Sequence, residues 1–192
     1  MFRGSGAIRR GSRRRRALSV ALAIGITAGV AGSAQAAFPG ANGKIAFEQG
    51  NDIFTVNPDG TGLTNITNSA GLENEPDWSP DGTRIAYRRF DTAGANFGLW
   101  TMNADGSGQT LVNSTVPNGG ITWSPDGAKI AFMYAFDVQA AIYKVRIVNS
   151  DGSGTPVDVT VPFAGEAAGE PEWSPDGTRI AYSARLPGNS GT

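Results

Sequence analysis

The thirteen residues EPDWSPDGTRIAY, from Glu75 to Tyr87, return from Glu170 to Tyr182 with one change, and in shortened form as ITWSPDGAKIAF from Ile121 to Phe132. A catalytic motif needs to occur once, because one reacting atom needs one nucleophile and one base. A unit that cannot bury its own apolar face must be repeated, because neighbouring copies supply the cover. The repeat therefore points to an architecture of stacked equivalent units.

Each copy spells out its own turn. In WSPDG, Ser79 stands at the first corner, Pro80 fixes φ at the second, Asp81 takes the third, and Gly82 is free for positive φ. Asp126 and Gly127, and Asp176 and Gly177, repeat the pattern. Short apolar or aromatic runs flank the turn, which predicts two antiparallel strands joined by a tight hairpin. Trp78, Trp123 and Trp173 stand at one phase before it, as side chains packed between neighbouring sheets would.

A second element follows each time, in DIFTVNPDGTG, GLWTMNADGSG and VRIVNSDGSG. Asp59, Asp105 and Asp151 are spaced by 46 and 46 residues, and Gly82, Gly127 and Gly177 by 45 and 50. That spacing holds four short strands per period, with third strands at Ile53 to Val56, Leu99 to Met102 and Val145 to Val148. The outer strands begin at LTNIT and QTLV. Both faces of these strands are apolar, as expected of small sheets sandwiched between others. The expected fold is all-β, an incomplete β-propeller of about three to four four-stranded blades. The repeats run over about 37–70, 71–116, 117–164 and an incomplete 165–192.

Residues 1–36 are set apart as a signal peptide. Seven arginines lie between Arg3 and Arg16, an apolar alanine-rich run follows, and Ala34 and Ala36 form a small-x-small cleavage pattern that would leave Ala37 as the new N-terminus. The run is only mildly apolar, so no stable membrane anchor is expected after cleavage. Arg15-Arg16 loosely matches a twin-arginine signal, which leaves that pathway and the general one both open.

Taking those seven arginines from 16 basic residues leaves nine against 17 acidic ones, a formal charge of −8 on 37–192. Clustered Lys and Arg are absent there, so nucleic acid is not an expected partner. The chain has no histidine and no cysteine, which removes imidazole bases, thiolates, disulfides and most metal sites from its own chemistry. No cofactor is expected.

The combination of PDWSPDGTRIAYRR with LWTMNADGSGQTLV resembles the TolB-type propeller repeat, a relative of the WD repeat. FPGANGKIAF is similar to the usual start of exported proteins that carry it. The resemblance covers nearly all of residues 37–192. It implies a periplasmic or extracellular location and docking of partner proteins. TolB-like proteins add an N-terminal α/β domain, for which the stretch between Ala36 and Ile45 leaves no room.

Candidate interaction residues come from the strand before the turn. Glu73, Glu75 and Asp77 alternate, as do Glu170 and Glu172, and strict alternation would aim each set at one sheet face near the channel. The copy before Trp123 carries Gly119, Gly120 and Thr122 in this region, so the fold does not require acids there. These carboxylates could hold a basic segment of a partner protein or a cation. As a pair for glycoside hydrolysis they are the weaker case, and solvated rim charge is the default. The loops around Asp59, Asp105 and Asp151 lack a calcium loop's ligand run and distant Glu, and are expected to be turns. The sequons Asn65-Ile66-Thr67 and Asn113-Ser114-Thr115 fit surface turns and are expected to stay unused.

The function expected is an exported, non-enzymatic propeller module for protein–protein interaction. The alternatives are the propeller fragment of a prolyl-oligopeptidase-like peptidase, or a cation- or carbohydrate-binding propeller. A ring of so few blades would leave open apolar edges near Ile45 and Trp173, with self-association or instability as the expected consequence.

Overall fold

A computed structural model describes residues 43–91, 97–137, 142–159 and 168–184; the expected signal peptide and the expected cleavage site at Ala34, Ala36 and Ala37 lie outside them. The described residues hold thirteen strands and no helix, so no helix among them is long and apolar enough to cross a membrane. The strands form four antiparallel sheets, each in the order of the chain. The first has β1 (Ile45–Gln49), β2 (Asp52–Val56) and β3 (Thr64–Asn65). The second has β4 (Leu72–Trp78), β5 (Arg84–Phe90), β6 (Gly98–Asn103) and β7 (Thr110–Asn113). The third has β8 (Thr122–Trp123), β9 (Lys129–Asp137), β10 (Ile142–Asn149) and β11 (Val157–Asp158), and the fourth has β12 (Ala168–Trp173) and β13 (Ile180–Ala184).

The hairpin turns work as their residues dictate. Gly82 N–H closes onto the Ser79 carbonyl at 2.8 Å with φ at 68°, while the Ser79 hydroxyl donates to Asp81 at 2.6 Å and accepts from Arg84 N–H at 2.9 Å. Ser124 and Asp126 repeat these bonds, as do Ser174 and Asp176. Three donors on Asp81, led by the Ser79 hydroxyl, hold its carboxyl at about 2. The turn therefore stays charged and intact well into acid.

Each gap between sheets has its own apolar core. Between the first and second lie Ile53, Ile66, Ile85, Tyr87 and Met102, with Trp78 and Trp100 against them. Ala86, Leu99 and Val112 meet Trp123, Ile130 and Phe132 across the next gap. In the third, Ala131 and Val145 pack with Trp173, Ile180 and Tyr182. Thus each motif tryptophan sits in a different gap. The two faces of every inner sheet are buried, which is why its strands are apolar on both sides. Gly106 shows how close the sheets come: it lies at φ 87°, and a Cβ there would stand 2.0 Å from the Ile66 carbonyl oxygen of the preceding sheet. This serial stacking of small antiparallel sheets, the two inner ones four-stranded, is the propeller arrangement.

The inner strands as the candidate functional site

The edge strands β4, β8 and β12 lie beside one another, and β1 packs against β4. All five predicted acids fall on β4 and β12. Strict alternation does not hold along them. The pairing of β4 with β5 slips between Asn74 and Asp77, and β12 slips against β13 between Gly169 and Glu172. Glu75 sits in the first slip with φ at 54°. Such a bulge adds a residue and turns the side chains beyond it to the other face.

The expectation that Glu73, Glu75 and Asp77 share one face is therefore corrected. Glu73 faces the first sheet and is 1% exposed; the Ser69 hydroxyl donates to its Oε1 at 2.5 Å, and Arg89 lies 3.5 Å away. It is a buried, paired group rather than a solvated rim charge. Asp77 faces the third sheet instead, where Trp123 N–H reaches its carboxylate at 3.3 Å and the Trp123 indole N–H donates to its carbonyl at 3.1 Å. Glu73 and Asp77 cannot flank one glycosidic bond from opposite faces.

Between them, Glu75 pairs with Arg88 at 3.4 Å, and its backbone N–H points at Glu48 of β1 at 3.4 Å. Burial pushes the Glu75 carboxyl up; Arg88 pulls it back, and Glu48 and Glu170 push it further. Asp77 is raised to about 6, first by burial, against the Trp123 N–H, with Glu172 adding to the rise. Glu170 and Glu172 themselves are exposed. The site is thus a convergence of carboxylates from β1, β4 and β12, half-withdrawn from water on β4 and open on β12. Such a surface favours cationic groups and resists anions. Among the described residues no group of three or more acids is arranged to hold a metal ion.

Asp59 and Asp105 accept from the hydroxyl of Thr61 at 2.7 Å and of Ser107 at 2.6 Å, and Asp151 accepts from Ser153 N–H at 2.9 Å, so each carboxylate caps its own turn. Sequence reasoning missed Glu48, Arg88 and the bulge. The available signal was Pro76 and Pro171, because a proline inside a strand is tolerated at a bulge.

Comparison with known proteins agrees with this architecture. An uncharacterized protein of Agrobacterium fabrum is 29% identical over 143 residues, 71% of this chain and 48% of its own length. An uncharacterized peptidase of Bacillus subtilis is 29% identical over 123 residues, 58% of this chain and 17% of its own. The crystal structure of TolB from Acinetobacter baumannii superposes with a TM-score of 0.58 at 19% identity, covering 80% of this chain and 42% of that one. The chain spans about half, or less, of the length of the curated relatives it matches. The description of the TolB beta propeller domain matches residues 41–191, and the chain belongs to that family.

Proposed function

We propose that this chain is an exported, non-enzymatic propeller module that docks another protein in the cell envelope or outside the cell. Its inner-strand carboxylates Glu75, Asp77, Glu170 and Glu172 would receive basic groups of the partner. The observation that carries this reading is the convergence of acids from three strands, with Glu75 held there in a left-handed conformation that costs a non-glycine residue roughly 1–2 kcal/mol. Export rests on the arginine-rich start and the Ala34-x-Ala36 pattern.

The test is capture of envelope proteins by cross-linking, comparing the natural chain with the variant Glu75→Gln, Asp77→Asn, Glu170→Gln, Glu172→Gln. Glu73 is left alone because it belongs to the buried side. Loss of a specific partner, with the far-UV spectrum unchanged, is expected. Undiminished capture overturns the docking role of these acids.

The peptidase relative favours one further reading, in which such a propeller stands beside a hydrolase domain. The 192 residues contain no histidine, so they cannot complete a Ser-His-Asp constellation by themselves. Recovery of a serine hydrolase as the cross-linked partner, with its peptide cleavage altered by the purified chain, would favour that reading over docking of a non-enzymatic protein.

A further inference from the structure

A cavity of about 370 Å³ opens between the second and third sheets, lined by Leu72, Arg88, Phe90, Val116, Pro117, Asn118 and Ala135. Five of these seven are apolar, and the volume is at the small end for ligand sites, enough for one large side chain or ring. Its rim is apolar too: Phe90 is 47% exposed and meets Phe97, 39% exposed, in a tilted pair with ring centres 6.2 Å apart.

The polar groups at this cavity decide what can enter. Arg88 is the cation in the lining and the exposed Asn118 its other polar residue; Arg88 Nε donates to Asn74 at 2.7 Å, and one terminal nitrogen donates to the Pro117 carbonyl at 3.3 Å and faces Glu75 at 3.4 Å. Glu75 is less satisfied. Its Oε2 is shut off from water and has no donor among the described residues, while Glu48 and Glu170 add negative charge around it. The accessible part of the Glu75 side chain, 31% exposed, is where a cation can approach this carboxylate. A cation at the Arg88 end of the cavity would therefore meet Glu75, with Glu48 and Glu170 adding to the attraction.

We infer that this cavity seats one large apolar side chain of an extended partner segment, with a neighbouring Lys or Arg of that segment on Glu75. The inference rests on the docking role proposed above and names the chemistry of the docked segment. The apolar rim at Phe90 and Phe97 continues the contact beyond one side chain, as a chain segment requires and a small molecule does not.

Labelled peptides in a Gly-Ser background test it by fluorescence anisotropy against the full chain: one with Lys-Phe-Lys, one with Lys-Ala-Lys and one with Glu-Phe-Glu. The Lys-Phe-Lys peptide should bind at least ten-fold more tightly than either other, a difference of about 1.4 kcal/mol. Ala135→Trp, which fills the cavity, should abolish that preference. Since it could also disturb packing, the exposed-site variant Phe90→Ser and the variant Glu75→Gln should each weaken binding about five-fold or more. Equal or undetectable binding of all three peptides overturns the inference, as does preference for Glu-Phe-Glu. Competition by N-acetylphenylalaninamide as effective as by the peptide would assign the cavity to a small aromatic ligand instead. Repeating the cross-linking capture separates the two proposals. If Phe90→Ser retains the partner and the four-carboxylate variant loses it, the docking role stands and the cavity plays no part.

Discussion

Glu75 in β4 and Gly120 just ahead of β8 stand three residues before Trp78 and Trp123, and both lie in left-handed backbone, at φ 54° and 63°. These two inner edges share one backbone demand at this point and meet it with opposite residues, whereas Glu170, the counterpart in β12, is not left-handed. Glycine meets it without cost, and a side chain meets it at roughly 1–2 kcal/mol. At Gly120 there is a second reason for glycine, because a Cβ would lie 2.6 Å from Pro171 Cδ and 2.7 Å from Glu170 Cα. In β4 a side chain is accommodated, and it is one that pairs with Arg88 and gathers charge from β1 and β12. The same backbone thus serves packing in one sheet and a charged surface in the next, which ties Glu75 to the inner-edge charge rather than to the turn or the core.

The harshest test transplants the acid. Gly120→Glu forces a side chain into left-handed backbone and drives its Cβ into the bulge at Glu170 and Pro171. Adding a strain of about 1–2 kcal/mol to an overpacking cost of about 1–3 kcal/mol gives a loss near 3 kcal/mol, read as a lower denaturation midpoint. A loss under about 1 kcal/mol would mean that β12 does not pack closely on Gly120, and the contrast between the two strands would lose its steric half.

A second test concerns the position two residues on, where β4 has Asp77 and β8 has Thr122. The folded Asp77 carboxyl titrates near 6, while an unfolded one titrates near 4. Its contribution is fully present below pH 4 and is lost as pH rises through 6, because folding then buries a charge beside Glu172. Asp77→Asn keeps an acceptor for the Trp123 N–H and removes that charge. The variant should exceed the natural chain by about 2 kcal/mol at pH 7.5, with the gap closing by pH 4. Denaturation at a series of pH values reads the gap directly. A constant gap would show that Asp77 is charged at no special cost.

Much of this architecture is legible in the sequence because it is local. Ser79, Pro80, Asp81 and Gly82 dictate their turn within four residues, and apolar runs on both faces announce sheets that are covered twice. The faces of Glu73 and Asp77 are not local, since they depend on how β4 registers against β5 across the bulge. Pro76 marks where alternation fails, yet it does not say which side each acid then takes. The cavity beside Arg88 was beyond reach for a related reason. Its walls come from Leu72 and Ala135, which no repeat period brings together and which only the packing of two sheets makes neighbours.

The gentlest change runs the comparison the other way, giving β4 the glycine of its neighbour. Glu75→Gly releases the left-handed strain of about 1–2 kcal/mol and removes a partly exposed ion pair with Arg88 worth about 0–1 kcal/mol. It also frees the unfolded chain, which takes back about 0.4–1 kcal/mol. At mid-range values the net is a gain of roughly 0.3 kcal/mol, visible as an unchanged or slightly higher denaturation midpoint. Partner capture should fall in the same protein. That pairing of outcomes is what separates a residue retained for binding from one retained for folding. If Glu75→Gly is clearly less stable than the natural chain, then the Arg88 pair outweighs the strain, and Glu75 serves the fold as Gly120 does.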